Sequence, residues 1–528
     1  PRVDFYHTTS NVNGALAAAQ GVVDVSGRSI AYVVWTASYG VGDFSVARTT
    51  VLFYPDGAAT YSQDAPIQNA GAGGDGRCSV KATLDFADGG GANYFTLAEL
   101  PDAATADAGT VARLARAAFS QPVDSTVVYH HDPASQVVDV TYTLTTQNVL
   151  GLENVAISGL MPHHYQPSAV HDGDPILVGA PAPVTDGGGA VIRYPLTQGE
   201  LHLYDTGTWT CRYPVPGSLP FLPPLDADDT TGRVALADYV RNGFVGKWSG
   251  AIPPYTNQNA VKGSQSYQIA KFVQRNMLAL PAIDQSPDNQ ALSGEVFANT
   301  RAAIELYFRE HPAQTAEQAG SAPYYAYYDP LVGSLYQYPQ AQPPANPNFP
   351  SDTSVAPHEA FGATSRTNDH QFHYGYFIHA AAQIAIRDPQ WGATWRDAIN
   401  QLVFDAANAP EVNPAPVFAF PRMRSWDAYM NHSYSAGLSW PDLYGNNEES
   451  ISEELNFWAG TALWGAVSGQ DALLRHGLGH FAAAVHSSYM YWFDIAGNKR
   501  ALGEVVKGAT LRWPGGQGAA IVTDGHTG

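Results

Sequence analysis

The chain divides at a proline-rich stretch, Pro214-Val215-Pro216-Gly217-Ser218-Leu219-Pro220-Phe221-Leu222-Pro223-Pro224-Leu225. Proline fixes φ, removes an amide donor and biases the preceding residue toward extended backbone, so this stretch is typical of a linker. Apolar residues before it follow a strand-like pattern, and those after it follow a helical one. The sequence therefore predicts two parts of different structural class.

The first part is predicted to be an all-β sandwich over residues 1–215. Its apolar runs alternate with period two or are continuous and rich in β-branched residues, and glycine-rich turn signals separate them. The clearest runs are 29–38, 44–54, 125–130, 137–146 and 200–213. Such a set is large enough to form two packed sheets.

The second part repeats a helix, a long loop and another helix. Apolar residues recur at i, i+3, i+4 and i+7 in six segments: 267–283, 290–311, 371–386, 395–407, 452–468 and 470–495. The loops 322–350 and 410–444 are aromatic and proline-rich, and loops of this length are often functional. We expect a linking region of mixed structure at 216–290 and an α/α toroid at 291–528, with a cleft at one rim.

The composition excludes some partners. Of 528 residues only 14% are charged, and the net charge is −21, which repels phosphate backbones and anionic membranes. No apolar run is long enough to cross a bilayer, so neither nucleic acid nor a membrane is expected as a partner. The polar, uncharged character suits a neutral hydroxylated ligand, and it is equally typical of a loop-rich secreted protein. Cys78 and Cys211 are the two cysteines, and the sequence leaves a disulfide between them open.

A candidate general acid lies in the segment 368–376, where Asp369 precedes a helical run. Aromatic and imidazole rings around a carboxyl exclude water and raise its pKa, and a protonated carboxyl can act as a general acid. The same position also fits a helix N-cap, a common place for Asp. Four neighbours are candidate substrate-binding residues: His370, His373, Tyr374 and Tyr376.

A second acidic motif follows about 80 residues later. Glu449 and Glu453 are four residues apart, so they project from one face if the helix begins at Glu449. Asn446 and Asn447 could cap this helix, whose dipole would favour an anionic carboxylate suited to act as a base. A solvated acidic first turn is the ordinary alternative, and we interpret Glu448 and Glu454 in that way.

Further polar and aromatic residues are interpreted as cleft walls that stack on sugar rings or bind their hydroxyl groups. They are Tyr327, Asp329, Arg424, Asp427 and His432, with Asn447 from the acidic motif. For the arginine, a buried ion pair is an equally good explanation. His370 and His373 share a helical face as metal ligands can, but no third ligand is evident, so we expect no metal and no organic cofactor.

Three motifs together resemble glycoside hydrolase family 81, the endo-β-1,3-glucanases. They are Asn368-Asp369-His370-Gln371-Phe372-His373-Tyr374-Gly375-Tyr376, then Phe420-Pro421-Arg422-Met423-Arg424 with the later His432-Ser433 and Gly437-Leu438, and Gly445-Asn446-Asn447-Glu448-Glu449-Ser450-Ile451-Ser452-Glu453. The sequence departs from the family pattern at Gln371, Glu448, Ile451 and Glu454. The resemblance covers residues 324–470 well and the β-rich part only in general character.

The resemblance implies a multidomain protein, with an N-terminal β-sandwich followed by a C-terminal (α/α)6 toroid that is shortened or incomplete at its end. It implies a secreted enzyme that hydrolyses β-1,3-glucans such as laminarin, curdlan or cell-wall glucan, with inversion. By position in the motifs, Asp369 falls on the general acid, Glu449 on the base and Glu453 on a second carboxylate. Inverting enzymes hold the two carboxyl groups roughly 6.5 to 9.5 Å apart.

Two other hypotheses stay open. A glucan-binding protein on the same fold, catalytically weakened, fits the altered motif residues and the short C-terminus. A polysaccharide lyase on an α/α toroid would act on anionic polymers, which the net charge of −21 disfavours.

Overall fold

The computed structural model describes residues 2–9, 17–41, 44–64, 67–68, 78–87, 93–101, 105–167, 173, 175–196, 198–217, 228–243, 265–285, 289–308, 325–338, 363, 367–435, 448–493, 495–496, 511–512 and 518–519. Most of the proline-rich linker and the glycine-asparagine part of the acidic motif lie outside these residues. In the described part, no helix combines the length and hydropathy that a membrane span requires.

The described strands are β1 (Arg2–Thr9), β2 (Ala17–Val25), β3 (Arg28–Val41), β4 (Phe44–Pro55), β5 (Ala59–Gln63), β6 (Ile67–Gln68), β7 (Cys78–Phe86), β8 (Thr96–Leu100), β9 (Ser120–Asp132), β10 (Val137–Asn148), β11 (Ser158–Leu160), β12 (Leu177–Val178), β13 (Arg193–Leu196), β14 (Gly199–Tyr204), β15 (Thr208–Pro214), β16 (Tyr325–Asp329), β17 (Ser334–Tyr338), β18 (Trp426–Asp427), β19 (His432–Ser433), β20 (Leu511–Arg512) and β21 (Gly518–Ala519). The described helices are α1 (Ala108–Ala117), α2 (Pro162–Tyr165), α3 (Thr230–Gly243), α4 (Gln265–Asp284), α5 (Gln290–Phe308), α6 (His370–Arg387), α7 (Pro389–Ala407), α8 (Ile451–Val467) and α9 (Asp471–Tyr491).

The first compact unit comprises Pro1–Val128, Thr141–Arg212 and Asp494–Ile521. Its central antiparallel sheet has the order β2-β3-β4-β8 and buries both faces. Side chains alternate between the faces of a strand, so Ile30 and Phe53 face α1, whereas Val33 and Leu52 face the β1-β7-β5 sheet. The predicted β-rich part is confirmed, with sheets packed against each other.

Two details of this unit differ from the sequence prediction. The run 200–213 is two strands, β14 and β15, because the chain turns between them where the Thr206 hydroxyl accepts the Thr208 amide at 3.0 Å. Helix α1 lies inside the segment predicted to be all-β, and Asp107 caps it by accepting the amide of Gly109.

The Cys211 thiol is buried and donates to the His164 carbonyl at 3.5 Å, so it is a thiol and not half of a disulfide.

The second unit comprises Tyr129–Val140, Tyr213–Phe493 and Val522–Gly528 and holds the predicted helices. Six of its helices pack as three hairpins, α4 with α5, α6 with α7 and α8 with α9. The apolar periodicity predicted all six helices, and the observed bounds differ from the predicted ones mainly by a few residues at the helix ends. The two predicted long loops contain the hairpins β16-β17 and β18-β19.

The first helices of these hairpins run parallel. Gly375 of α6 lies against Phe457 of α8, and a Cβ on this glycine would be 2.9 Å from the Phe457 Cα. One turn later, Gly460 of α8 lies against His379 of α6. Both contact residues advance in the same direction, so the N-terminal ends of α6 and α8 lie together. Glycine permits this close approach because it has no Cβ.

Helix α4 follows the same direction as α8. Its Tyr267 hydroxyl reaches Glu453, and one to two turns later its Gln274 amide donates to Asn456 at 2.5 Å. The first turns of α4, α6 and α8 therefore meet at one end of the second unit, and they carry the candidate acidic residues.

Candidate active site

Asp369 lies immediately before α6 with its backbone in the left-handed region, at φ 60° and ψ 18°. Asp369 thus occupies the N-cap position, but its side chain makes no capping hydrogen bond to the helix. Capping therefore does not explain why an aspartate stands here. Its amide donates to the Ser435 carbonyl at 2.8 Å, and its carbonyl accepts the His373 amide at 2.9 Å. The backbone is therefore held while the carboxyl is left for other contacts.

The Asp369 carboxyl is buried, with 6% of the residue exposed, and its Oδ1 makes no hydrogen bond within the described part of the chain. Burial raises the pKa of Asp369 to about 8, and the nearby negative charges of Glu449 and Glu453 raise it further, against a hydrogen bond from Asn368. At neutral pH this carboxyl carries a proton. Its setting is that of a proton donor.

Glu453 lies in the first turn of α8 and is held by hydroxyl groups from two other helices. Its Oε1 accepts the hydroxyl of Tyr267 at 2.6 Å and that of Tyr376 at 2.7 Å. Lys271 lies 3.9 Å from the same oxygen and donates to the Tyr267 hydroxyl at 2.8 Å. Two hydroxyl donors and a lysine therefore hold this side chain in place.

Glu449 is exposed and precedes the helix. Helix α8 begins at Ile451 with Ser450 as its N-cap residue, so Glu449 lies outside the helix and does not share a turn with Glu453. Its charge nevertheless reaches Asp369. Asn446 and Asn447, the predicted caps, lie outside the described residues.

Glu448 and Glu454 are not solvated, which corrects their interpretation as a surface acidic turn. Glu448 is 5% exposed and Glu454 is 0% exposed. Burial raises the pKa of Glu454 to about 8, although two hydrogen bonds from Ser433 oppose that shift. Burial, and then the charge of Glu454, raises the pKa of Glu448 well above its ordinary value. Long-range packing explains the difference, because the Glu454 side chain turns inward to Ser433.

His370 and Arg424 lie in a buried network around Asp405. The Nδ1 of His370 is 2.5 Å from Asp405, and its Nε2 is 2.7 Å from the Ala363 carbonyl. Both ring nitrogens face oxygen atoms of the protein, so the ring is engaged within the buried network. Arg424 donates to the carbonyls of Asp405 and Gly333. Burial alone would raise the pKa of Asp405, but His370 and Arg424 hold it below its ordinary value.

His373 and Tyr374 are also buried, each at 3% exposed or less. Burial lowers the pKa of His373 well below its ordinary value, with His370 adding to the shift, so the ring is neutral. Its centroid lies 5.2 Å from that of Tyr267, beside the carboxyl cluster. The Tyr374 hydroxyl donates to the Leu335 carbonyl at 2.8 Å, which fixes α6 to β17.

The remaining predicted cleft residues make local contacts. Asp329 accepts the Leu331 amide at 2.8 Å in the turn between β16 and β17. Asp427 accepts the Tyr434 hydroxyl at 2.9 Å and closes the turn between β18 and β19. His432 is 8% exposed, and its Nδ1 lies 2.9 Å from the Ser433 carbonyl. Tyr327 lies in β16, its side chain outside the described atoms, and Asn447 lies outside the described residues.

The structure therefore brings together Asp369, Glu449, Glu453 and Tyr376, with His373 behind them. Sequence reasoning missed Tyr267 and Lys271, which contact this cluster from α4. Both fall in the region predicted as a linker, about 100 residues before Asp369, and no local pattern marks them. A buried carboxyl that carries a proton, beside two further carboxyl groups and tyrosine rings, is typical of the class of sites that carry out acid–base chemistry.

Comparison with known proteins agrees with that class. Residues 351–508 match the glycosyl hydrolase family 81 C-terminal domain, and this segment contains all three motifs. The chain is 26% identical over 92% of its length to a glucan endo-1,3-beta-D-glucosidase of Acetivibrio thermocellus, covering 55% of that protein. It is 27% identical over 85% of its length to another of Thermobifida fusca, covering 50% of it. The chain thus spans about half the length of the curated relatives it matches.

A solved structure has the same fold. It is a glycoside hydrolase family 81 protein from Clostridium thermocellum, in a mutant form, with a TM-score of 0.64 and 23% identity. The likeness covers 91% of this chain and 60% of that one. The chain is thus similar to glycoside hydrolases in sequence and in fold. The resemblance predicted from the three motifs is confirmed by the match of residues 351–508 to the glycosyl hydrolase family 81 C-terminal domain and by the likeness to these proteins.

Proposed function

We propose that this protein hydrolyses β-1,3-glucosidic bonds in β-1,3-glucans by an inverting single displacement. The observation that carries the proposal is the Asp369 carboxyl, buried and protonated at neutral pH next to Glu449 and Glu453. Glycosidic cleavage needs one carboxylic acid and one carboxylate on opposite sides of the bond. The names of the relatives in Acetivibrio thermocellus and Thermobifida fusca support β-1,3-glucan as the substrate.

Asp369 is the general acid in this mechanism. With its pKa at about 8, it holds a proton at neutral pH and transfers that proton to the departing glycosidic oxygen. The two nearby carboxylates keep the proton on Asp369 until the leaving oxygen becomes basic enough to take it. Its Oδ1, which has no described partner, is suited to face that oxygen.

Glu449 is the preferred general base. It is exposed, so water can reach its carboxylate, whereas Oε1 of Glu453 already accepts two tyrosine hydroxyls. Those two hydrogen bonds and the nearby Lys271 occupy this oxygen, so it is less available to bind the attacking water. We assign Glu453 to holding the site and the substrate. Inversion requires a separation of roughly 6.5 to 9.5 Å between the acid and the base, enough for one water.

The three helical hairpins support a toroidal architecture for the second unit. We propose that α4, α6 and α8 are inner helices and α5, α7 and α9 outer helices of an (α/α)6 toroid, which contains six such hairpins. The site then lies where the N-terminal ends of the inner helices meet. Tyr267 and Tyr376 at that end offer ring faces for stacking on uncharged sugars.

The expected substrates are laminarin, curdlan and cell-wall glucan. Such polymers do not cross a membrane, so we propose that the protein acts outside the cell. This mechanism uses carboxyl groups alone and assigns no step to a metal or an organic cofactor.

Reducing-end release from laminarin and curdlan tests the activity, and proton NMR of the first products tests inversion. The wild-type protein should release α-anomers first. Asp388→Asn is a matched control, because Asp388 occupies the N-cap of α7, caps Trp391 through its side chain and lies outside the carboxyl cluster. The absence of new reducing ends from either glucan would end the proposal, and β-anomers formed first would end the inverting mechanism.

A glucan-binding role without turnover is the second candidate, and the buried Glu448 and Glu454 favour it because they differ from the family motif. Titration calorimetry with laminarin oligosaccharides separates the two. Binding without any release of reducing ends supports this second role.

A further inference from the structure

Three residues next to the site hold one short segment, Ser433–Ser435, which we name the clamp segment. The Ser435 carbonyl accepts the Asp369 amide at 2.8 Å. The side-chain amide of Gln371 donates to the Tyr434 carbonyl at 2.6 Å. Oε1 of Glu454 accepts the Ser433 amide at 2.8 Å and the Ser433 hydroxyl at 3.0 Å.

The clamp segment bears on the orientation of the proposed acid. Asp369 has a left-handed backbone at φ 60°, which is unfavourable for an L-residue and persists only when its surroundings hold it. Its side chain does not cap α6, so the bond to Ser435 is one of the contacts that set the direction of the carboxyl. Displacement of the clamp segment would release the Asp369 backbone and admit water to the carboxyl.

Glu454 is placed to fix this segment from α8. It is fully buried, and its Oε1 accepts two hydrogen bonds from Ser433, while the Trp458 side chain also interacts with the carboxyl. Glu454 therefore acts on the site through the clamp segment and not by touching a substrate. It lies 21 residues from Ser433 in sequence, and it ties α8 to the loop that follows β18. Gln371 adds a parallel tie from α6.

We infer that Glu454 is a positioning residue for Asp369, which it orients by holding Ser433 and, through the clamp segment, the Asp369 backbone. The inference rests on the proposed function in taking Asp369 as the acid. Glu454 and Gln371 are two of the positions where the sequence departs from the family motif, and both contact this segment.

The titratable groups at this corner come from three places. Glu448 and Glu449 precede α8, Glu454 lies in its first turn, and Asp369 lies at the start of α6. Burial, and then the negative charges of Glu454, Asp369 and Glu449, raise the pKa of Glu448. Because the protonated form of Glu454 is favoured, glutamine reproduces its shape and its acceptor oxygen at neutral pH. Alanine removes this oxygen and leaves the Ser433 amide without its hydrogen-bond acceptor.

The test compares Glu454→Gln with Glu454→Ala by hydrogen exchange and by kinetics. In Glu454→Ala, peptides covering 433–435 should exchange about 10-fold faster or more, and kcat should fall about 10- to 100-fold with KM changed less than about 3-fold. The alkaline limb of the kcat/KM profile should move down by about one pH unit or more, because water reaching Asp369 lowers its pKa. Glu454→Gln should restore all three to near wild type.

Glu305→Ala is the matched control. Glu305 is a partly buried glutamate that accepts the indole of Trp391, away from the site, so its loss should lower stability without changing exchange at 433–435 or the pH profile. Where Glu454→Ala does not fold, Ser433→Ala is the second variant. It removes the hydrogen bond from the Ser433 hydroxyl to Glu454 and should also make residues 433–435 exchange faster.

Equal exchange of 433–435 in wild type and Glu454→Ala, or an unchanged kcat and pH profile in that variant, would overturn the inference. A wild-type protein inactive on laminarin would instead overturn the proposed function, and the exchange comparison would still decide whether Glu454 holds the clamp segment.

Discussion

The Tyr267 hydroxyl on α4 lies 2.6 Å from Oε1 of Glu453 on α8. This hydrogen bond joins residues 186 positions apart and places a tyrosine ring beside the proposed acid. Burial and then Glu453 raise the pKa of Tyr267, and Asp369 adds to the shift. A second tyrosine, Tyr376, shares the same oxygen at 2.7 Å. The carboxylate is therefore held between three helices.

Removing these hydroxyls should impair turnover. Tyr267→Phe and Tyr376→Phe each delete one hydrogen bond to a charged group, worth about 1.5 to 3 kcal/mol, so kcat/KM on laminarin should fall about 10-fold or more. Tyr328→Phe is the control, because its hydroxyl donates to the Ala419 carbonyl outside the carboxyl cluster. Steady-state kinetics on laminarin measures the difference, and wild-type kinetics in both site variants would contradict this role for Glu453.

The buried acids should make the protein less stable as pH rises. Asp369 and Glu454 have folded-state pKa values of about 8, above their ordinary values of 3.8 and 4.5. Their contribution to stability is thus fully present below about pH 4 and is lost as pH rises toward about 8. Each lowers the free energy of unfolding by about 1.4 kcal/mol per pH unit within that window.

Urea unfolding at pH 5 and pH 8 measures this loss. Glu454→Gln should reduce the difference between the two pH values, since glutamine does not ionise. Glu153→Gln, which alters a glutamate paired with Arg116 at the surface, should leave it unchanged. An unfolding free energy that stays constant or rises from pH 5 to pH 8 would argue against protonated buried acids.

The Asp405 network should be a main source of stability around α6. Asparagine at this position leaves His370 and Arg424 without their charged partner, and breaking a buried pair costs about 3 to 5 kcal/mol. Urea unfolding should show a loss of that size for Asp405→Asn and a loss below about 1 kcal/mol for the exposed pair in Glu153→Gln. Similar losses for both variants would show that Asp405 has no special role.

Close packing of α6 on α8 should depend on Gly375. A methyl group there would lie 2.9 Å from the Phe457 Cα, so Gly375→Ala should cost about 1 to 3 kcal/mol and lower turnover by moving Asp369 relative to Glu453. Gly294→Ala in α5 is the control, because a Cβ there meets no atom within 4 Å, and it should gain about 0.5 to 1 kcal/mol from helix propensity. Thermal unfolding would show the opposite signs, and destabilisation by both would contradict the packing argument.

The sequence predicted the six helices and the raised pKa of Asp369 because those signals are local. Periodicity placed α4 to α9, and the rings around Asp369 indicated a carboxyl with a raised pKa. Sequence reasoning failed where residues distant in the chain determine the burial or the contacts of a side chain. Glu454 resembles a surface acid until Ser433 accounts for its burial, and Tyr267 has no local mark of its contact with Glu453.

His370 illustrates the same limit. Its type and its position in a family motif predicted contact with a substrate, but its Nδ1 lies 2.5 Å from Asp405, 35 residues away. Arg424 lies against the same aspartate, in the buried ion pair that the sequence had left open as an alternative. An isolated aspartate inside a helical run gave no sign of this pairing.

The pH dependence of kcat/KM on laminarin, measured for the wild type and for Asp369→Asn, tests the central claim most directly. The account predicts that wild-type activity falls above about pH 8, as the acid loses its proton. Asp369→Asn should be slower by about 100-fold or more, with that alkaline limb absent. An Asp369→Asn variant with wild-type turnover and the same alkaline limb would contradict it.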